Sequence, residues 1–383
     1  MSRIALVAPY AWAALSGLEG YVGGAEIQQA RLARVLAARG HDVWMIVCDF
    51  GQEARVSIDG VNVERAYRPF GGVPGLRFFH PRWTGIAAAL DRVRPDVVYQ
   101  RTAGVLTGQC ALWAKANGRR FVFACAHDFD TLPRSPFLAN PRDRFFYRWG
   151  LRHADTVLAQ SADQVRALKA NHGIDAVRVR NVVDVPPAAR PEAPADRVLW
   201  LGTLKADKRP EWVLEAARAL PGVPFTIAGG PPPPPMPDDA VRALSSEAAG
   251  IPNIELTGAV PAPRVPELLR KAAMFAHTSP AEGFPNTLLE AWAYGVPSVS
   301  VVDPDGAVAH GGAGVLARDR DDFVQQIRDL MYDPARRSAL GAAARQYVLR
   351  HHAPEAIGQA FEDALDLGPR AADPARLTAR ARS

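Results

Sequence analysis

Glu282 and Glu290 stand eight positions apart in the segment SPAEGFPNTLLEAWAYGVPSVS, which runs from Ser279 to Ser300. Two carboxylates at that spacing can reach the two ends of one extended, phosphate-bearing ligand if the chain between them turns and then runs as a helix. The residues favour that path. Gly283-Phe284-Pro285 makes a turn, Asn286 to Tyr294 follows a helical pattern, and Gly295 and Pro297 stop it as the β-branched run Val296 to Val302 begins. Pro285 suits a first helical turn, where its missing N–H costs nothing. The backbone N–H groups of Asn286 and Thr287 then point out of the helix end, where an anion is welcome. Eight residues are a little over two helical turns, so Glu290 sits down the helix from the loop that carries Glu282. An ordinary capped αβ unit with surface acids shows the same pattern, and the residues alone leave both readings open.

Three other stretches bring polar groups to strand ends. Tyr21-Val22-Gly23-Gly24-Ala25-Glu26 follows a first strand and opens a helix, and its paired glycines admit a ligand that a Cβ would exclude. A dinucleotide fold needs G-x-G-x-x-G directly after the strand and an acid after the second strand. Asp49 fits the acid, but Gly17, Gly20, Gly23 and Gly24 fall too late and in the wrong order, which argues against nicotinamide or flavin. Val198 to Pro210 reads VLWLGTLKADKRP, a strand ending at Gly202 with Lys208 and Arg209 beyond it, able to meet an anion or simply to face water. Phe121 to Asp130 reads FVFACAHDFD and delivers His127 to a strand end, although a lone histidine is more often structural than catalytic.

The elements that must hold these residues alternate. Strands are expected at Ile4–Ala8, Val43–Cys48, Val97–Gln100, Phe121–Ala124, Thr156–Ala159 and Arg178–Val183, with helices at Ala25–Arg39, Thr84–Arg92, Leu106–Asn117, Arg142–Arg152 and Ala162–Asn171. A proline-rich connector follows from Pro186 to Pro194, too rich in proline to enter a sheet. A second alternation then begins: strands at Arg197–Leu201, Phe225–Ala228, Ile254–Leu256 and Met274–His277, helices at Pro210–Leu220 and Val265–Ala272, then the two-glutamate unit and a helix-rich C-terminus. Alternation of this kind makes parallel sheets covered on both faces, and two such halves make a ligand-binding cleft. The expected domains are 1–185, 186–365 with a last helix free to cross back, and a disordered tail 366–383.

Composition bounds the rest. With 383 residues, 48% hydrophobic and 22% charged, the chain has the make-up of a soluble two-domain protein. Cys48, Cys110 and Cys125 sit in apolar runs without CxxC spacing and read as reduced, buried thiols. The start, Arg3 then IALVAPYAWAAL, could pass for a short signal peptide, but the glycine loop and helix behind it make a first buried strand the preferred reading. No apolar run reaches the roughly 18 residues that span a bilayer. Pro231 to Pro235 is read as a stiff surface loop rather than a polyproline ligand.

The two-glutamate segment resembles the EGF-x-N/G-x-x-x-E signature of glycosyltransferase family 4, retaining nucleotide-sugar enzymes of the GT-B fold, and here the motif is complete. The resemblance implies an α/β architecture of two Rossmann-like domains with parallel sheets facing across a cleft. It places Glu282 beside the sugar, the loop from Gly283 and Phe284 to Asn286 and Thr287 on the diphosphate, and Glu290 on the ribose hydroxyls. Gly24 and its neighbours resemble the family's GGAE loop near the donor sugar and diphosphate. Lys208 takes the place of the lysine that grips the diphosphate; Thr203 stands where many members have arginine, and Arg209 is the candidate to replace that cation. His127 matches the family's strand-then-histidine position and takes a sugar-side role. The likeness runs from about residue 3 to residue 365. Retention without a strong nucleophile implies front-face attack, with Glu282, His127 and Lys208 as the catalytic set. Asp128-Phe129-Asp130 also spells the D-x-D metal motif of the other large glycosyltransferase fold, but it is read as local structure. No metal and no cofactor is expected, the nucleotide-sugar being a substrate. A nucleotide-sugar epimerase of similar fold, or a non-catalytic sugar-nucleotide-binding protein, remains as an alternative.

Charge hints at a further partner. Residues 1–184 carry 24 Lys and Arg against 16 Asp and Glu, whereas the remainder carries 21 against 24. A basic first half favours an anionic neighbour such as a membrane surface bearing a lipid-linked acceptor; scattered arginines without stacking aromatics argue against nucleic acid. Arg144, Arg148 and Arg152 form one helical stripe beside Phe145 and Trp149. That is the pattern of a membrane-surface helix, and equally of a helix packing its aromatics inward. The expected location is cytoplasmic, with peripheral attachment to the inner face of the cell membrane left open.

Overall fold

A computed structural model describes residues 1–17, 23–187, 195–231, 239–280 and 282–367. Short runs of Val, Ile, Leu and Phe between polar turns make two sheets. The first holds β1 (Arg3–Val7), β2 (Asp42–Val47), β3 (Arg55–Ile58), β4 (Val61–Arg65), β5 (Val97–Arg101), β6 (Arg120–Ala124), β7 (Thr156–Ala159) and β8 (Val177–Arg178), in the order β3-β4-β2-β1-β5-β6-β7-β8. All its pairings are parallel except the β3–β4 hairpin. The second holds β9 (Arg197–Leu201), β10 (Phe225–Ala228), β11 (Ile254–Gly258), β12 (Ala272–His277), β13 (Ser298–Ser300) and β14 (Gly314–Leu316), in the order β11-β10-β9-β12-β13-β14 and parallel throughout. Each sheet reverses its strand order beside its first strand, between β1 and β5 and between β9 and β12. Outside the carboxyl ends of the strands at such a point is where sheets of this kind bind ligands.

Helices cover both faces, so the central strands are buried along their length: every residue of β12 is buried, and Ile4 to Val7 of β1 likewise. Each sheet therefore separates two apolar clusters. One joins β1 and β2 to the helix Gly24–Ala38 through Leu32, Leu36 and Val43; on the second sheet, Phe275, Leu288 and Trp292 anchor the cluster beneath the helix Asn286–Ala293.

The chain divides into two units, Met1–Val182 with the residues from Pro354 onward, and Val183–Ala353. This differs from the expected 1–185 and 186–365 in its last segment. The helix Pro354–Ala364 does cross back, because Ile357, Phe361 and Leu365 complete the first unit's core and Phe361 packs on Tyr99 at 5.9 Å. Glu362, 1% exposed, fixes it: Arg39 donates to both carboxylate oxygens at 2.9 and 2.6 Å, and the His41 ring lies at 3.0 Å.

Two expectations need correcting. The strand expected over Arg178–Val183 is limited to Val177–Arg178, because the backbone beyond it bonds elsewhere: Val182 exchanges two 2.8 Å hydrogen bonds with the Gln28 amide, and Val183 donates to the His352 carbonyl at 3.0 Å. The β3–β4 hairpin was not anticipated. It turns on Asp59-Gly60, both at positive φ (52° and 80°), the two-residue turn that asks for an Asp-Gly pair. Tyr21 and Val22, the connector from 188 to 194, the prolines from 232 to 235, Ala281 and the tail from 368 lie outside the described residues.

Candidate active site

The loop after β9 is built to bring a lysine to the carboxyl edge of the second sheet. Gly202 N–H continues the ladder to the Ala228 carbonyl at 3.1 Å, and Leu204 N–H reaches the Gly230 carbonyl at 2.9 Å. A Cβ at Gly229 would overlap the Gly202 carbonyl oxygen, so this close approach requires glycine. A single 3₁₀ turn, Ala206–Lys208, follows, and Arg209 at φ 49° redirects the chain into the helix Glu211–Ala219.

Beneath the turn lies a short relay. Trp200 Nε1–H donates to Thr278 Oγ1 at 3.0 Å, and the Thr278 hydroxyl donates to the Lys208 carbonyl at 2.5 Å. Thr278 follows directly on β12, so the hydroxyl ties the lysine's backbone to the centre of the sheet. Lys208 Nζ meets the Glu282 carboxylate, forming a half-buried ion pair. Burial pulls the ammonium below the ordinary lysine range, Asp207 opposes this and Lys205 adds to it. The Glu282 carboxylate favours the charged form, and a bound diphosphate would act in the same sense. His277, at the end of β12, is buried, with Ser300 Oγ 3.3 Å from Nδ1. Burial first, and Lys208 second, bring its pKa down to about 3, so the ring is neutral and adds no second charge beside the lysine.

The helix Asn286–Ala293 begins four residues after Glu282. Pro285 is its N-cap, extended at φ −64° and ψ 124°, one position earlier than the expected first helical turn. Proline has no side-chain acceptor, so it cannot cap the helix as Ser or Asp would. Phe284 is buried on Trp292 and His352, at 6.2 and 4.7 Å, which fixes the loop that carries Gly283 to Thr287. Glu290 lies on this helix and is half-buried; burial raises the pKa of nearby Tyr294, Arg270 opposes this, and Glu290 and Asp184 add to it. Arg209 lies over the Trp212 ring at 5.3 Å, and Arg320 lies over the same ring at 5.5 Å.

Of the residues expected at a site, the second unit thus brings Lys208 and Glu282 together, with Arg209 adjoining and Gly283, Phe284, Asn286, Thr287 and Glu290 on the following turn and helix. Gly24 and His127 belong to the first unit. Gly24 is the first residue of the helix Gly24–Ala38, and the Glu26 carboxylate fills the space that a Cβ on Gly23 would need. His127 caps the turn Asp128–Thr131: Nδ1 accepts from Phe129 N–H at 3.1 Å, which leaves the proton of a neutral ring on Nε2. The ring also rests on Phe129 and Phe137, at 4.4 and 5.6 Å. Asp130 accepts from the backbone N–H groups of Ala126, His127 and Ala103, and Asp128 from Gln164, so this pair organises its own loop. Among the described residues no group of three or more His, Cys, Asp or Glu side chains gathers as metal ligands would.

Sequence reasoning passed over Trp200, His277 and Thr278. The signal was there: three polar residues, His277-Thr278-Ser279, end a fully buried strand directly ahead of the two-glutamate segment. Thr278→Val keeps the shape but leaves the Trp200 N–H and the Lys208 carbonyl unpaired, at about 1–3 kcal/mol of stability. It is expected to lower turnover, with Thr278→Ser restoring most of it; wild-type turnover in the valine variant would show that the relay does not position Lys208.

Residues 22–185 match the family model Glycosyltransferase Family 4, and residues 195–333 match Glycosyl transferases group 1. The chain belongs to the GT-B glycosyltransferases. Among relatives of this glycosyltransferase, the 2-deoxystreptamine N-acetyl-D-glucosaminyltransferase of Streptomyces fradiae is 27% identical over 89% of the chain and 90% of the relative. The D-inositol 3-phosphate glycosyltransferase of Mycobacterium avium is 31% identical over 48% of the chain and 47% of its own length. The fold is shared with sucrose-phosphate synthase from Thermosynechococcus elongatus, at 18% identity and a TM-score of 0.77 over 96% of the glycosyltransferase and 99% of that chain. It is shared too with Anabaena HepE, solved with UDP and glucose, at 19% identity and a TM-score of 0.73 over 96% and 100% of the two chains.

Proposed function

We propose that this glycosyltransferase takes its sugar from a nucleoside-diphosphate donor, with retention of configuration and without a metal ion. The observation that carries the reading is Lys208 held against Glu282, four residues ahead of the helix Asn286–Ala293. As the glycosidic bond breaks, negative charge grows on the departing diphosphate. A fixed ammonium and loop N–H groups stabilise that charge without reorganisation, the task a divalent cation performs elsewhere. Lys208 exchanges Glu282 for phosphate as the donor enters, which leaves the Glu282 carboxylate beside the sugar. Glu290 accepts from the ribose hydroxyls. The likeness to HepE, solved with UDP-glucose, supports a donor of this class. His127 serves the sugar side, and the first unit takes the acceptor, at an anionic membrane surface where a lipid-linked acceptor would lie.

Purified protein incubated with common UDP-, GDP- and ADP-sugars is expected to release nucleoside diphosphate by transfer or slow hydrolysis. No release from any of them would overturn the reading, and isomerised nucleotide-sugar formed without acceptor would mark an epimerase. The glutamates should divide the work. Glu290→Ala removes a charged acceptor worth about 1.5–3 kcal/mol of nucleotide affinity, whereas Glu282→Ala should depress turnover more than affinity. Equal losses of nucleoside-diphosphate affinity in both variants would refute this division.

A further inference from the structure

Helix stripe or not, the first unit carries an exposed apolar surface that the site does not use. Phe70, Val73, Leu76 and Phe79 are 88%, 64%, 63% and 57% exposed, four large apolar side chains within ten residues. They stand on a defined loop between β4 and the helix Thr84–Val93. Gly71 N–H bonds to the Arg68 carbonyl at 3.0 Å, Arg77 N–H to Val73 at 2.9 Å and Phe79 N–H to Leu76 at 2.9 Å. Phe78 is the loop's anchor: it is buried, with Trp83 at 5.8 Å, Phe146 at 5.4 Å and the Arg142 guanidinium 4.2 Å above its ring. Phe145, 63% exposed, extends the surface from Phe146 at 5.8 Å.

We propose that this loop seats the glycosyltransferase on an anionic lipid bilayer, with Phe70, Val73, Leu76 and Phe79 entering the acyl boundary. The charge pattern selects the occupant. No Asp or Glu lies between Glu64 and Asp91, while Arg68, Arg77 and Arg82 are interleaved with the apolar tips. Asp49 lies 3.5 Å from Arg68, Glu26 shares the surroundings of Tyr10 with Arg82, and Asp143 pairs with Arg142 at 2.9 Å. Protruding apolar tips with arginines beside them suit a fluid interface with anionic headgroups. The loop also leaves the carboxyl end of β4, and exposed Tyr10, Phe50 and Phe137 follow β1, β2 and β6 at that same edge. A bilayer held there would present its lipids to the edge at which the first sheet binds ligands. The helix Pro141–Arg152 has other duties. Arg144 donates to the Leu138 and Ala139 carbonyls at 3.0 and 2.8 Å, Arg148 to Pro133 at 2.5 Å, and Trp149 packs on the core and stacks on His153 at 4.1 Å. The inference rests on the membrane-surface acceptor proposed above and moves its contact from the helix stripe to the loop.

The test is co-sedimentation of the full-length protein with vesicles of phosphatidylcholine alone or with about a third phosphatidylglycerol, at low and high salt. The wild type is expected to bind the anionic vesicles and to release them as salt screens the arginines. Phe70→Ser with Leu76→Ser should lower partition at least about tenfold, since each side chain loses a burial of that order; Arg152→Glu should leave it within about twofold. Both positions are exposed, and an unchanged melting temperature, with an unchanged shift by nucleoside diphosphate, reports intact units; the single variant Phe70→Ser serves if the pair does not fold. Equal binding by wild type and loop variants overturns the loop assignment while the membrane reading stands. A wild type that ignores anionic vesicles at low salt, or that self-associates through these residues instead, overturns both, while release of diphosphate from a nucleotide-sugar still upholds the transferase.

Discussion

Lys208→Ala is expected to lower turnover about 100- to 1,000-fold, the usual loss when one preorganised donor to a developing anion is removed. The size follows from the setting. The ammonium is half-buried, so its field on a departing diphosphate is screened far less than that of a surface lysine, and the Trp200–Thr278 relay fixes its backbone before any ligand arrives. Stability should fall only modestly: the change leaves the Glu282 carboxylate without its partner, but that carboxylate still reaches water, and burial already disfavours this ammonium. Lys208→Arg keeps the charge but replaces a compact ammonium on a flexible stem with a planar fork, and is expected to recover only part of the rate. Rates of nucleoside-diphosphate release at saturating donor decide it. A Lys208→Ala rate within about threefold of wild type would remove Lys208 from the chemistry.

The largest stability effect should come from Glu362→Gln. Glu362 lies among the first unit's buried residues and meets both Arg39 and His41. Breaking a buried ion pair by neutralising one partner costs about 3–5 kcal/mol, because the other charge remains. For a unit of this size that is a fall of roughly 6–20 °C in melting temperature. Burial alone would raise the Glu362 pKa, but hydrogen bonds from Arg39 and His41 outweigh it and hold the carboxyl below the usual range. A carboxyl lowered on folding stabilises above its unfolded value, and the contribution is lost as pH falls through the folded one. The gap between wild type and Glu362→Gln should therefore be full at neutral pH and close below about pH 4. A variant melting within about one degree of wild type at pH 7 would show that the pair does not hold the helix.

Much of this fold could be read from the chain because buried parallel strands announce themselves. Val97-Val98-Tyr99 and Thr156-Val157-Leu158 are rich in apolar and β-branched residues, and each run falls between turn residues and a helical period. The β3–β4 hairpin escaped because it lies at the sheet edge, where half-exposed Arg55-Val56-Ser57-Ile58 carries little apolar signal; its Asp59-Gly60 turn was the better clue. At the site, the two-glutamate segment and Lys208 were legible because motif and spacing travel together. Thr278 was legible as one of three polar residues at a strand end, but its meeting with Trp200 was not, since that depends on β9 lying next to β12, a neighbour relation that no local pattern records. The arginine stripe of the helix Pro141–Arg152 left both of its readings open for a related reason. Periodicity shows which residues share a face, but not that main-chain carbonyls of the preceding loop are waiting for them.

The return of the helix Pro354–Ala364 to the first unit has a consequence for biosynthesis. Ile357, Phe361 and Leu365 leave the ribosome only after the whole of Val183–Ala353 has been made. At roughly 5–20 residues per second, the apolar face of the helix Gly24–Ala38 waits on the order of 15 to 65 seconds for its cover. The unit encoded first is thus the last that can be finished. A stop codon in place of Pro354 would spare every residue of the second unit and still leave the first with an open core, a surface that chaperones and proteases recognise in a newborn chain.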